Sequence, residues 1–94
     1  MKAPRIARRV VISGRVQGVG FRYALADEAR ERSLGGWVRN RRDGTVEALL
    51  AGPQDDVEAV IAWARRGPPA ARVTSVEVEP ATADLEQFEI VGTF

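Results

Sequence analysis

Residues 10–29 read Val10-Val11-Ile12-Ser13-Gly14-Arg15-Val16-Gln17-Gly18-Val19-Gly20-Phe21-Arg22-Tyr23-Ala24-Leu25-Ala26-Asp27-Glu28-Ala29, and the spacing of the apolar residues changes partway along. Val10, Ile12 and Val16 alternate with Arg9, Val11, Ser13 and Arg15, the period of two of a strand with one well-buried face. From Phe21 to about Arg32 the apolar Phe21, Ala24, Leu25 and Ala29 fall at helical spacing, while Asp27, Glu28 and Glu31 take another side. Gly18 and Gly20 stand at the changeover, so the reading is strand, glycine-rich loop, helix.

Further along the chain, Gly35-Gly36 marks a break, and Trp37, Val38 and Arg39 lead to Asn40. Asp43-Gly44 is a hairpin signal, with Val46, Ala48 and Leu50 alternating beyond it, which predicts two antiparallel strands. Gly52-Pro53 suits a helix start with proline at the first helical position, and Val57, Val60, Ile61 and Ala64 then fall at i, i+3, i+4, i+7. Asp55 and Asp56 occupy its first turn and Arg65 and Arg66 its last, the order a helix dipole favours. Gly67-Pro68-Pro69 stops that helix, and Val76 and Val78 alternate with Glu77 and Glu79 in a fourth strand. Phe88, Ile90, Gly92 and Phe94 alternate in a short final strand. The predicted order, β-α-β-β-α-β plus a short C-terminal strand, is an α+β, ferredoxin-like split βαβ fold: an antiparallel sheet with two helices on one face.

Ninety-four residues make one domain, 1–94, able to bury about 60% or more of the surface its unfolded form exposes. The 45% hydrophobic and 29% charged composition favours neither disorder nor a membrane class, and no apolar run approaches the length of a spanning helix. The basic start Met1-Lys2-Ala3-Pro4-Arg5 lacks an h-region, so a cytoplasmic protein is expected. Without cysteine or histidine, thiolate chemistry, a phosphohistidine route and the commonest general base are all excluded. A net charge of +1 gives no bulk reason to expect a nucleic-acid partner. All the basic residues but Lys2 are arginine, whose planar fork suits phosphate or carboxylate, although a GC-rich genome gives the same bias.

The chemistry-bearing stretch is Gly14 to Arg22. Two closely spaced glycines before a helix can turn successive backbone N–H groups inward as an anion nest, backed by the unpaired donors of the helix N-terminus. Arg22, in the first turn, opposes the helix dipole, and an anion held between loop and guanidinium resolves that conflict. The plainer reading, a tight connection with a solvated Arg22, carries equal weight on spacing alone. The stretch is neither a dinucleotide fingerprint, since Tyr23 stands where a third glycine belongs, nor a Walker A loop. Asn40 by itself reads as a strand-end residue entering a hairpin. Arg39 alternates away from Asn40 and is left out of the site, while Arg41 and Arg42 read as a solvated hairpin tip. Trp37 and Trp63 read as core or partial cover, Glu77 and Glu79 as a solvent face, and Asp55 and Asp56 as helix-start charges, so no metal site is expected.

Gly14-x-Val16-Gln17-Gly18-Val19-x-Phe21-Arg22, then Gly36-Trp37-Val38-Arg39-Asn40 and Asp43-Gly44-x-Val46-Glu47, closely resembles the acylphosphatase signature, and the likeness continues through Gly67-Pro68, Ala71 and Val73 to Phe88-x-Ile90. The resemblance implies a ferredoxin-like enzyme that cleaves carboxyl-phosphate mixed anhydrides to carboxylate and inorganic phosphate, without metal or cofactor. It further implies that Arg22 binds the phosphoryl oxygens, Asn40 orients the attacking water, and the loop Gln17, Gly18, Val19, Gly20 and Phe21 supplies backbone donors. One departure is visible: Arg32-Ser33-Leu34-Gly35 stands where many members read Leu-Gly-Leu and a variable residue, which bears on packing at the end of the first helix.

An acyl phosphate already carries a good leaving group, so catalysis needs positioning and charge stabilisation more than proton transfer. The expected partners are a small-molecule acyl phosphate and inorganic phosphate as product, with no nucleic acid and no membrane, and a monomeric chain. Two other classes compete. A phosphate-sensing module would keep the cradle but have no need of Asn40. An RNA-binding ferredoxin-like domain would display sheet aromatics for stacking, whereas Thr45 to Leu50 carries none.

Overall fold

The computed structural model describes residues 4–94. Its elements are β1 (Arg5–Arg15), α1 (Phe21–Glu31), β2 (Gly35–Asn40), β3 (Val46–Pro53), α2 (Gln54–Arg66), β4 (Arg72–Ala81) and β5 (Phe88–Ile90). The sheet order is β4-β1-β3-β2-β5. β1 pairs antiparallel with β3 and β4, and β2 antiparallel with β3, which gives the expected four-stranded core of a split βαβ fold. The terminal strand adds parallel to β2, with Gly36, Trp37 and Val38 opposite Phe88, Glu89 and Ile90, so the complete sheet is mixed. A parallel addition at this edge follows from the chain crossing from the far edge, β4, to reach β2.

Both helices cover one face. Val10, Ile12, Val38, Val46, Ala48 and Leu50 from the strands form a single buried cluster with Phe21, Leu25 and Ala29 of α1 and Val57, Val60, Ile61 and Ala64 of α2. The period of two on the strands and of 3.6 on the helices therefore meet in one core. Each such fully buried aliphatic side chain contributes about 1.5–3 kcal/mol through apolar burial. α1 lies over β2 and β5, and α2 over β1 and β4.

Two boundaries differ in detail from the sequence expectation. Pro53 is not the first helical residue but the N-cap of α2, with φ −58 and ψ 138, because β3 runs on through it to pair with Arg5. The alternation to Phe94 predicts a longer last strand, yet regular pairing stops at Ile90. Beyond it the chain still follows β2 through the Val91 N–H to the Val38 carbonyl and the Phe94 N–H to the Asn40 carbonyl, each 2.9 Å.

Candidate active site

β1 and β2 are both antiparallel to β3, so they run the same way and end at the same edge of the sheet. The register makes this explicit: Ile12 lies opposite Val46, which lies opposite Asn40. The loop leaving β1 and the hairpin leaving β2 are thereby neighbours. Gln17 ties them together, its Nε2 donating to the backbone carbonyls of Arg41 at 2.8 Å and Thr45 at 2.9 Å. This tie spans 24 and 28 residues of sequence and holds the loop against the strand end that carries Asn40.

The loop backbone turns through left-handed conformations at Gly18 (φ 73) and Gly20 (φ 78). A Cβ at either would meet nothing within 4 Å, so glycine is required there by backbone conformation and not by space. Gly20 is also the N-cap of α1, with no side-chain cap and no acidic residue in the first turn. Among the described residues, no backbone hydrogen bond takes up the N–H groups of Gln17 through Arg22. The loop is nonetheless fixed, since Val16 and Phe21 are buried, Val19 packs on the core, and the Phe21 ring tilts against Trp63 at 5.5 Å. Unspent backbone donors at a helix N-terminus are what binding an anion there would require.

Arg22 continues the buried stripe of Leu25, Ala26 and Ala29 at spacings of three, four and seven. It is partly buried, and helical side chains lean toward the helix N-terminus, here toward the loop. No carboxylate among the described residues forms an ion pair with it; its guanidinium lies 5.7 Å from the Tyr23 ring. Asn40 shares the helix-covered face of β2 with the buried Val38. Its Oδ1 is buried without any hydrogen-bond partner. An amide oxygen left so costs about 1–3 kcal/mol, a penalty that calls for a functional or solvent partner.

Arg39 points to the opposite face, as its alternation requires. It donates from Nε to Glu47 at 2.7 Å and stacks on the rings of Phe94 and Trp37, 4.1 and 4.6 Å from their centroids. Arg42 is exposed at the hairpin tip, and Arg41 lies 3.7 Å from Asp43. The Asp43 carboxyl sits below its ordinary range because the Thr45 hydroxyl and N–H donate to it, which pins the turn. Trp63 is half-buried cover, and Glu77 and Glu79 are exposed.

Sequence reasoning missed two residues here. The sequence places Gln17 only in the cradle, whereas its side chain is the brace between loop and hairpin, a long-range role that no local spacing announces. Glu47 stands within a motif without a role of its own in the sequence; among the described residues it is the buried charged side chain of the sheet, between Arg9 and Arg39. An acidic residue on a strand otherwise apolar on both sides, Val46 to Ala51, is the signal that could have flagged it. Among the described residues no group of His, Cys, Asp or Glu is placed to hold a metal, and no helix is long and apolar enough to cross a membrane. The depressions of about 480 Å3 at Arg41, Arg42 and Phe94 and about 550 Å3 at Ala24, Trp63 and Ala71 are lined by residues other than Arg22, Asn40 and the Gln17–Phe21 loop.

The sequence model of the family described as Acylphosphatase matches residues 8–90. A relative named acylphosphatase from Thermococcus kodakarensis is 53% identical over 89 residues, covering 94% of this chain and 98% of the relative. Another so named, from Rhizorhabdus wittichii, is 59% identical over 83 residues, covering 88% and 84%. The crystal structure of acylphosphatase from Bacillus subtilis superposes with a TM-score of 0.87 at 40% identity, covering 92% of this chain and 98% of that one.

Proposed function

The chain belongs to the acylphosphatase family, and from that membership we propose that it hydrolyses acyl phosphates at the sheet edge where loop, Arg22 and Asn40 meet. The observation that carries the residue roles is the Gln17 brace, which holds unpaired loop donors beside the strand end bearing an amide oxygen with no partner. In this reading the backbone N–H groups of Gln17, Gly18, Val19, Gly20 and Phe21 and the Arg22 guanidinium hold the phosphoryl oxygens. Asn40 holds the attacking water. Its terminal torsion has two broad, nearly equivalent settings, so a half-turn brings oxygen or nitrogen to the solvent side at little cost.

The water oxygen forms the new bond to phosphorus as the bond from phosphorus to the acyl oxygen breaks, and the carboxylate leaves with that electron pair. One water proton passes to a phosphoryl oxygen, so a dianionic acyl phosphate and water give a carboxylate and monoanionic phosphate. Asparagine has no basicity at neutral pH, and the substrate's own phosphate is the acceptor nearest the water. Donors aimed at the transferring group are each worth roughly 2.7–4 kcal/mol in the transition state. The domain acts as one unit over residues 1–94, as a cytoplasmic monomer, with neither metal nor cofactor in the step.

Benzoyl phosphate hydrolysis tests the assignment. Arg22→Ala is expected to lower kcat/KM by about a hundredfold or more, and Arg22→Lys nearly as far, because an ammonium cannot reproduce the two-pronged fork. Asn40→Ala is expected to lower kcat by a similar factor while inorganic phosphate still protects the protein against heat. EDTA is expected to leave the rate unchanged, and size-exclusion chromatography to give one monomer peak. Full activity in either Arg22 variant ends the assignment of the phosphate site.

A further inference from the structure

The proposed phosphate cradle and the proposed water holder sit on separate elements. The cradle is the loop between β1 and α1, Asn40 closes β2, and the chain from one to the other runs through the whole of α1. Each half has support of its own. On the loop side Val16 and Phe21 are buried and Val19 packs on the core. On the hairpin side the Arg41 N–H donates to the Thr45 carbonyl at 2.9 Å, the Gly44 N–H donates to the Arg41 carbonyl at 3.1 Å, and the Asp43 carboxylate accepts from the Thr45 N–H and hydroxyl. Among the described residues, the hydrogen bonds that join loop 16–20 to hairpin 40–45 both come from the Gln17 carboxamide, at 2.8 and 2.9 Å.

A carboxamide nitrogen carries two hydrogens, and the Arg41 and Thr45 carbonyls account for both, so the Gln17 side chain keeps no donor for a substrate. Attack in line on phosphorus tolerates little error in placement: a shift of about 1 Å costs on the order of a hundredfold in rate. We propose that Gln17 is a positioning residue, whose carboxamide sets the distance and direction from Asn40 to the phosphate cradle and thereby the rate of the chemical step. Phosphate affinity stays with the loop backbone and Arg22, because replacing the Gln17 side chain leaves its backbone N–H in place. The proposal rests on the function proposed above. Its signature is a loss in kcat without a matching loss in phosphate binding, and dependence of that loss on the presence of Asn40.

The test is a double-mutant cycle with benzoyl phosphate, each variant assayed well below its own melting transition and with inhibition by inorganic phosphate measured alongside. Gln17→Met and Gln17→Leu are both neutral and donate no hydrogen bond. Each is expected to lower kcat by about tenfold to a hundredfold, with the phosphate inhibition constant within about threefold of wild type. In the Asn40→Ala background, Gln17→Met is expected to lower kcat by less than about twofold, since a brace for a missing group has nothing left to place. Unchanged kcat in both single variants overturns the proposal. Loss of phosphate inhibition in step with kcat also overturns it, by making Gln17 a residue that shapes the cradle itself. Independent, multiplying effects of Gln17→Met and Asn40→Ala would reduce the brace to a structural contact. Full kcat in Asn40→Ala alone is a separate failure, that of the water-holding role on which the proposal stands.

Discussion

A guanidinium in the first turn of α1 repels the positive end of the helix macrodipole, at a cost of about 0.3–1 kcal/mol. Arg22 has no carboxylate among the described residues to offset this. Asn40 carries a similar burden in its unpartnered buried oxygen. Both residues therefore weaken the free protein at the positions proposed to serve the substrate, the trade expected of functional sites. Calorimetry of Arg22→Ala is expected to give a melting temperature equal to or above wild type, and to show no upward shift on adding phosphate, where wild type does shift. A fall of several degrees in the variant would instead make Arg22 a structural residue. The candidate site is legible in the sequence to the extent that its proposed residues are local: glycines, Arg22 and Asn40 lie in two short stretches. Gln17's brace was not legible, because the carbonyls it reaches belong to a hairpin whose position depends on the folded sheet.

The end of α1 shows what an element does when its sequence departs from its conformation. The Leu34 N–H donates to the Ala29 carbonyl at 2.9 Å and the Ser33 N–H to the Arg30 carbonyl at 3.0 Å, the paired bonds of a Schellman stop. Such a stop needs a left-handed residue, and here Ser33 takes it, at φ 56. A side chain in that region costs about 1 kcal/mol relative to glycine. Ser33→Gly is thus expected to stabilise the protein by about 0.5–1 kcal/mol, or roughly 2–8 °C in melting temperature for a domain of this size. Destabilisation on thermal melting would show that the Ser33 side chain, and not its backbone, matters. Elements with one buried face, such as β1 and α2, were readable from their periods alone. The edge strand β4 showed only Val76 and Val78 because most of it is exposed, and the direction of β5 was hidden because the choice of partner strand is a property of the whole sheet.

Across the whole sheet the helix-free face is fastened by Glu47, whose side chain is 4% exposed and accepts from the Nε of both Arg9 and Arg39. Arg9 reaches on to Glu79 at 2.8 Å, so β4, β1, β3 and β2 share one chain of charges. Burial pushes the Glu47 carboxyl upward, but the hydrogen bonds and charges of Arg39 and Arg9 together outweigh it and hold the carboxyl below its ordinary 4.5. The same contacts push the Arg9 guanidinium above its ordinary value. A carboxyl depressed in the folded state favours folding above its unfolded pKa, and that contribution disappears as pH falls through the folded one. Urea unfolding of wild type and Glu47→Gln is therefore expected to differ by about 2 kcal/mol at neutral pH. The gap should hold down to about pH 5 and close as the pH drops below 4.5. Glu79→Gln, which loses only an exposed pair, is expected to cost under about 0.5 kcal/mol and to fade in salt. A gap that widened on acidification would mean that burial dominates and that Glu47 binds its proton more readily folded than unfolded. The sheet face would then be held by neutral hydrogen bonds, and the two arginines would be left to find their counter-charge in solvent.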